Sequence, residues 1–388
     1  MKQKTEQKKS LNQGGKNMTE EKSIDFFEYF IGPQHPGITG NFGVILNAVG
    51  DEIIKAQANP GYLHRAFEKL MEQRMYLQNV PLVCRICVPE PDVNEALYSM
   101  AIETLTGIEV PERAKYIRTI VLEMARLAAY LFYFGGTAAT LGLYTLPNWS
   151  FGDRDYILDL FEELTGARIY HIYMQPGGVR RDLPKDFTKK LYSLLQTLKK
   201  RIKEYDGIFF DAALFKKRTK GVGVINKDMA IEYSVTGPNL RASGIAYDIR
   251  KDTPYLAYPD INFNVITENE GDFYSRVMVR RREFEEDIKI LEQLIDKLPS
   301  GEVWNRYPMP LNWKVEKGDV YVKVESTKGE YGYYVVSDGS EKPRRIHVRG
   351  PSMTHGIMLL EKLLKGQRIA DISPIMFSLD ICPPDIDR

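Results

Sequence analysis

The chain closes with Asp380-Ile381-Cys382-Pro383-Pro384-Asp385-Ile386-Asp387-Arg388, and its only other cysteines form Cys84-Arg85-Ile86-Cys87. Three cysteines therefore fall in two clusters nearly a whole chain length apart. A thiolate is a soft ligand and a strong nucleophile, so a CxxC loop serves either metal binding or redox chemistry. One CxxC alone is a weak signal. A distant third cysteine beside an acid at the extreme C-terminus is a stronger one. Three thiolates with Asp385 could build a four-ligand zinc site, although aspartate is a harder and weaker ligand than a fourth thiolate. The plain alternative is three small buried apolar residues.

Length and charge bound the rest. With 388 residues the chain can bury a large core. Its 53 basic residues balance 52 acidic ones, so no global field argues for nucleic acid. An odd, small cysteine count fits a reducing compartment better than a disulfide framework. Residues 1–22 are polar and charged with almost nothing apolar, and predict a disordered leader ahead of one domain over residues 23–388. They lack the apolar segment of a signal peptide, so export is not expected, and Met18 is a second candidate start. Leu127 to Leu146 runs 20 residues without a charge, long enough for a bilayer. The run also holds Gly135-Gly136, three threonines and three tyrosines, which suit a helix buried in a bundle.

The periodicity predicts an α+β fold: a mostly helical core bundle with small sheets from the N-terminal and C-terminal regions. Phe42 to Ala56 reads as two strands around a Gly50-Asp51 turn. Leu63, Phe67, Leu70 and Met71 give a helical stripe expected to stop at Pro81. Further stripes run through Ile157–Leu164 before Gly166, through Leu191–Ile202, and through Phe284–Leu298 before Pro299. Val320, Val322 and Val324 alternate as a strand, and Tyr333 onward predicts a hairpin turning at Asp338-Gly339.

Six stretches carry a family resemblance: Gly32-Pro-Gln-His-Pro-Gly, Gly61-Tyr-Leu-His-Arg-Ala-Phe-Glu-Lys, Gln175-Pro-Gly-Gly-Val, Thr236-Gly-Pro-Asn-Leu-Arg-Ala-Ser-Gly, Tyr247-Asp-Ile-Arg-Lys and Gly329-Glu-Tyr-Gly-Tyr-Tyr-Val-Val-Ser-Asp-Gly. Together with the cysteines they resemble the quinone-chamber subunit of respiratory complex I and the large subunit of [NiFe] hydrogenases, from about residue 30 to the last. In the hydrogenases two CxxC pairs hold the metals; here Asp385 stands where the fourth cysteine belongs. The resemblance puts the hydrogenase arginine at Lys328 and the proton-relay acid near Thr39 and Gly40, so hydrogen activation is not expected. It puts the quinone-gripping histidine of complex I at Thr39, its carboxylate partner at Thr140 and the tyrosine at Val88, so that grip is missing too.

The chain more closely resembles a third branch, the large subunit of membrane-bound sulfane sulfur reductases. That resemblance implies a chamber subunit of a ferredoxin-dependent, ion-pumping membrane complex that reduces polysulfide or organic polysulfanes to sulfide. It implies a peripheral position on the cytoplasmic face, an iron–sulfur subunit carrying the nearest [4Fe-4S] cluster, antiporter-like membrane subunits, ferredoxin as donor, and no nucleic acid. No cofactor or metal is assigned to this chain itself. A quinone or nicotinamide acceptor and a degenerate, non-catalytic scaffold are the alternatives; no GxGxxG follows a strand, so a dinucleotide site lacks support.

Under this reading the catalytic candidates are Cys84, Cys87, Cys382, Arg85, His35 and Asp385. The cysteines either hold sulfur as a persulfide or only line the pocket. Arg85 would lower their pKa and favour thiolate, or else pair with Asp385 or Asp387. His35 could donate a proton, or shape its loop with Pro36. Lys328 could stabilise anionic sulfur, although exposure is the commoner fate of a lysine. Arg280-Arg281-Arg282 reads as a solvated or interface face, and His64, His171 and His355 as structural.

Overall fold

Buried apolar residues on both sides of the Gly50 turn hold one face of an antiparallel sheet against a core: Val44, Leu46 and Ala48 before it, Ile53, Ala56 and Ala58 after it. The structure, a computed structural model, describes residues 26–388 except Pro36, Thr39, residues 306–309 and Leu311. The leader expected over residues 1–22 and the position Thr39 lie outside the described residues. The sheet has the order β1-β2-β3, from β1 (Phe27–Ile31), β2 (Gly43–Val49) and β3 (Glu52–Asn59). Strand β1 was not anticipated from sequence.

The stripe after Gly61 becomes two helices, α1 (Phe67–Gln73) and α2 (Tyr76–Val83), parted by an extended Arg74. Pro81 does not stop the second, as the sequence suggested. It sits inside the last turn and the helix continues to Val83.

The helical bundle follows: α3 (Pro91–Thr106), α4 (Glu112–Thr140), α5 (Thr145–Thr165) and α6 (Phe187–Tyr205). Pro91 at the first position starts α3, where its missing N–H costs nothing, and Gly107 and Gly166 end α3 and α5 in left-handed caps. The charge-free run lies mostly in α4, packed against α5. Among the described residues no helix is long and apolar enough to cross a membrane. Two-residue strands β4 (Met174–Gln175) and β5 (Gly178–Val179) join α5 to α6.

Short helices α7 (Ala213–Thr219), α8 (Lys227–Glu232), α9 (Gly237–Ala242) and α10 (Ile249–Asp252) lead to the long α11 (Phe273–Asp296), which lies along α4. Strands β6 (Gly318–Ser326), β7 (Gly329–Ser337) and β8 (Arg345–Arg349) form the second three-stranded antiparallel sheet. Four short helices complete the chain: α12 (Pro351–Thr354), α13 (Leu360–Leu364), α14 (Ile372–Leu379) and α15 (Pro383–Asp387). The α+β expectation holds, with a helical centre and small sheets from both regions.

Two apolar cores result, one inside the helix bundle and one beneath the first sheet with α13 and α14. Cys382 belongs to the first core, while Ile381 and Ile386 belong to the second. The C-terminal segment therefore lies where the two cores meet.

Candidate active site

Helix α2 runs straight into the CxxC motif. Its last carbonyls lack helical partners, and the motif supplies them. Arg85 N–H donates to Leu82 O at 3.1 Å and Ile86 N–H to Val83 O at 3.1 Å. The Cys84 thiol donates to Pro81 O at 3.3 Å, and the Arg85 guanidinium reaches the same oxygen. Arg85 Nη1 also lies 3.2 Å from Cys84 Sγ, and its guanidinium sits 5.2 Å above the Tyr170 ring. Cys84 and Cys87 are both fully buried.

The chain end is fixed from several sides. Cys382 N–H donates to Ser352 Oγ at 3.0 Å, and the Asp385 carboxylate accepts from Ser352 N–H at 3.0 Å. Asp387 accepts from the backbone N–H groups of Gly61 and Leu63, both at 2.8 Å, and its own carbonyl lies 2.6 Å from His64 Nδ1. Arg388 donates to Glu68 at 2.9 Å. The Gly61 motif thus folds around the C-terminus, which sets Cys382 opposite the CxxC loop.

Asp385 does not behave as a fourth metal ligand. A Cβ on Gly350 would lie 1.4 Å from Asp385 Oδ1, so the carboxylate fills the space that the glycine leaves open. Its other oxygen is taken by Ser352, and Tyr331 stands beside it. Among the described residues, no group of three or more His, Cys, Asp or Glu side chains is arranged to hold a metal ion. The residues present do not fit the four-ligand cage that the hydrogenase resemblance or a zinc site would need.

A buried cation stands by the cysteines instead. Lys328, on the β6–β7 turn, is buried rather than exposed, and its Nζ lies 3.0 Å from Asp380 Oδ2 and 3.9 Å from Glu90 Oε2. Cys87 and Cys382 both act electrostatically on the same ammonium. The turn can approach this closely because Gly329 and Gly237 pack backbone to backbone. A Cβ on Gly237 would lie 2.3 Å from Gly329 Cα, and both glycines have positive φ. Arg280 is wholly buried as well: Nη2 donates to Asn239 Oδ1 at 3.2 Å, Nε is 4.0 Å from Asp380, and the guanidinium covers the Tyr133 ring at 4.6 Å. The expectation of a solvated basic face at residues 280–282 fails for Arg280 and Arg281, because α11 turns that side of its first half into the bundle.

Two of the thiols, Cys84 and Cys87, are raised by their surroundings. Burial acts first on Cys84, pushing it up to about 12, helped by Glu95 and opposed only in part by Arg85. The Cys382 thiol hydrogen-bonded to Cys87, together with burial, pushes Cys87 well above its ordinary value. The expectation that Arg85 would favour thiolates is therefore corrected: its influence has the predicted sign, but desolvation is larger. The alternative pairing also fails, since the contacts of Arg85 are with Cys84, Pro81 and Tyr170, not with Asp385 or Asp387. Burial raises Asp385 too, against the Ser352 and Tyr331 hydroxyls.

The structure brings together Cys84, Cys87, Cys382 and Arg85, with Asp385 behind them. His35 is exposed, on the loop after β1, where its Nδ1 accepts from Gly37 N–H at 3.0 Å. Val88 is exposed, and the Thr140 hydroxyl donates to Thr137 O at 2.7 Å. His171 pairs with Asp92 at 2.8 Å, and His355 is buried, held neutral by desolvation and nearby arginines with its pKa down to about 3. Sequence reasoning missed Glu90, Asp380 and Arg280. Asp380, two residues before Cys382, was the one with an available signal.

Residues 140–388 match the model of the respiratory-chain NADH dehydrogenase 49 kDa subunit family. The chain belongs to this 49 kDa subunit family. An NADH-quinone oxidoreductase subunit of Thermosipho melanesiensis is 47% identical over 363 residues, covering 92% of this chain and 98% of the relative. An F(420)H(2) dehydrogenase subunit of Methanosarcina mazei is 40% identical over 365 residues, covering 92% of this chain and 96% of the relative. The solved structure of the membrane-bound sulfane sulfur reductase, an archaeal respiratory membrane complex, includes a chain that is 51% identical with a TM-score of 0.92. That match covers 95% of this chain and 100% of the other. Like those 49 kDa-type relatives, this chain is a subunit of a membrane respiratory complex, with an oxidoreductase chamber.

Proposed function

We propose that this subunit walls the catalytic pocket of a complex that reduces sulfane sulfur, polysulfide or organic polysulfanes, to sulfide or thiols. The observation that carries the reading is Lys328, a buried cation facing Cys87 and Cys382. Its charge suits an anionic sulfur chain, where a neutral acceptor needs none. The likeness to the sulfane sulfur reductase along nearly the whole chain supports the same reading.

Cleaving R–S–S–R′ consumes two electrons and two protons and yields RSH and R′SH. A [4Fe-4S] cluster in a neighbouring iron–sulfur subunit, fed by ferredoxin, would supply the electrons. Lys328 stabilises negative charge on the departing sulfur. Cys84 and Cys87, their pKa raised above the ordinary thiol value, stand beside the substrate with Cys382 and present S–H groups rather than attacking as thiolates. Antiporter-like membrane subunits use the released energy to move ions, with this subunit peripheral on the cytoplasmic side.

Quinone reduction is the second reading, favoured by the 47% identical NADH-quinone oxidoreductase relative. Against it stand Thr140 and Val88 at the positions where the complex I resemblance expects a carboxylate and a tyrosine. Purified complex assayed with reduced ferredoxin separates the two. Sulfide release from polysulfide with little quinone reduction is expected; efficient quinone reduction without sulfide release would reject the proposal.

A further inference from the structure

Beyond the pocket, α11 carries a buried polar ladder. Arg280 faces Asp380; one turn on, Glu283 accepts from Arg241 Nε at 2.7 Å and lies 3.3 Å from Arg126; another turn on, Asp287 meets Arg126 at 3.3 Å and Arg250 at 3.0 Å. Arg241 also binds Glu325 at 2.7 Å and lies 3.7 Å from Asp248. Arg250 binds Asp248 at 2.8 Å and Glu123 at 3.2 Å. Tyrosines close the ends: Tyr258 donates to Glu123 at 2.6 Å, and Tyr130 donates to Glu283.

Three guanidiniums, Arg126, Arg241 and Arg250, thus face five carboxyls, Glu123, Asp248, Glu283, Asp287 and Glu325, all of them buried. Fully ionised, the array would carry two uncompensated negative charges in a low-dielectric interior, which is prohibitive. Protons on two carboxyls make it neutral. The other buried arginines of that face of α11 point elsewhere: Arg280, one turn before Glu283, meets Asp380 and Asn239, and Arg276, two turns before it, meets Ser378 and the carbonyls of Gly223 and Gly271.

The array and the pocket share one structural piece. Strand β6 places Glu325 in the array, and three residues later the same strand end turns to place Lys328 beside the cysteines. Between them, the Thr327 hydroxyl donates to Glu90 at 2.5 Å, and Glu90 is itself 3.9 Å from Lys328. Arg126 Nη1, Arg241 Nη2 and Glu123 Oε2 have no hydrogen-bond partner among the described residues, so the array is not fully satisfied by its own members.

We infer that the array is a proton store for the cysteine pocket, holding two protons among its five carboxyls and releasing one, from Glu325, to each new thiolate. The inference rests on the proposed S–S cleavage, which needs two protons per turnover beside side chains that are buried from solvent. Electrostatics agree. Asp287 is raised well above the ordinary range by burial, against Arg126 and Arg250 and with Glu123 and Glu283. Glu325 is raised to about 7 by burial, against Arg241, Arg250 and Arg126 and with Asp248. Asp248 is lowered, since its arginines outweigh its own burial. The burial that raises Cys84 and Cys87 would raise a thiolate released beside them as well, which favours transfer from Glu325.

Infrared spectroscopy of the intact complex, without sulfur substrate, reads the store directly. Beside the bands of Glu95 and Asp385, whose carboxyls burial also raises, the array should add two protonated-carboxyl bands below neutral pH, one of them lost as pH rises through about 7. Glu325→Gln should remove the titrating band, Asp287→Asn the constant one, and Asp248→Asn neither. Sulfide release should fall about a hundredfold in Glu325→Gln, in keeping with a lost proton donor, and lose its alkaline limb. Carboxyl bands left unchanged by both Glu325→Gln and Asp287→Asn, or a Glu325→Gln complex with wild-type rate and pH profile, would overturn the inference. If Glu325→Gln fails to assemble, a band shifted in Glu325→Asp and a band lost in Asp287→Asn still decide it. Bands that behave as described in a complex unable to reduce polysulfide would reject the proposed function and leave the store standing.

Discussion

Lys328→Met removes the ammonium that faces both Cys87 and Cys382. Structurally it strands Asp380, 3.0 Å away, and Glu90, 3.9 Å away. Deleting one partner of a buried ion pair costs about 3–5 kcal/mol. Arg280, 4.0 Å from the same Asp380 oxygen, remains and should hold the loss near the lower figure. Catalytically, a hydrogen bond to a charged group is worth about 1.5–3 kcal/mol, roughly tenfold to a hundredfold in kcat/KM. The assay is ferredoxin-driven sulfide release at varied polysulfide, repeated with a neutral organic trisulfide. KM should rise for the anionic substrate alone, while kcat falls for both, because both release anionic sulfur. The double variant Lys328→Met/Asp380→Asn removes the charge mismatch, so it should recover much of the stability but not the rate. Recovery of rate in the double variant, or an unchanged kcat/KM in Lys328→Met, would show that the lysine acts only through folding. The raised pKa of Lys328 makes its stabilising contribution constant across neutral pH, lost only as pH climbs through that raised value.

Three further outcomes follow from the same pocket. Gly350→Ala should prevent stable assembly, since its Cβ would sit 1.4 Å from Asp385 Oδ1, and Asp385→Ser should partly rescue it; a normal melting temperature for Gly350→Ala would contradict the packing. Asp385→Asn should leave stability unchanged in acid and raise it slightly at pH above the ordinary aspartate range, because a raised native pKa penalises folding once the unfolded carboxyl ionises; pH-dependent thermal unfolding of the complex checks the sign. Cys84, pushed up to about 12 and buried, should resist iodoacetamide at mildly alkaline pH in the folded complex, and mass spectrometry showing rapid alkylation would refute a protonated thiol.

Local periodicity made much of the fold legible. The Gly50 hairpin, the α5, α6 and α11 stripes and the alternation of β6 follow from spacing and turn residues, because side-chain direction repeats with the backbone. Strand β1 escaped because four of its five residues are exposed, leaving no one-sided pattern. Pro81 misled because a proline in the last turn of an eight-residue helix removes little hydrogen bonding. Within the site, the motif spacing named the three cysteines and Arg85, the family resemblance singled out Asp385 and Lys328, and the candidate His35 lies apart on an exposed loop.

What the sequence could not supply is the environment of each charge. The four residues that meet around the pocket's cation, Glu90, Arg280, Lys328 and Asp380, come from four separated stretches, and the ionic side chains of the buried array are scattered from Glu123 to Glu325. The identity of the cysteines, the missing fourth thiol and the family are properties of the residues themselves. Whether a thiol is protonated, whether Asp385 faces a metal or a glycine, and whether a carboxyl keeps its proton depend on desolvation and Coulomb energy. Those are set by distance and by exclusion of water, and only the folded packing fixes either.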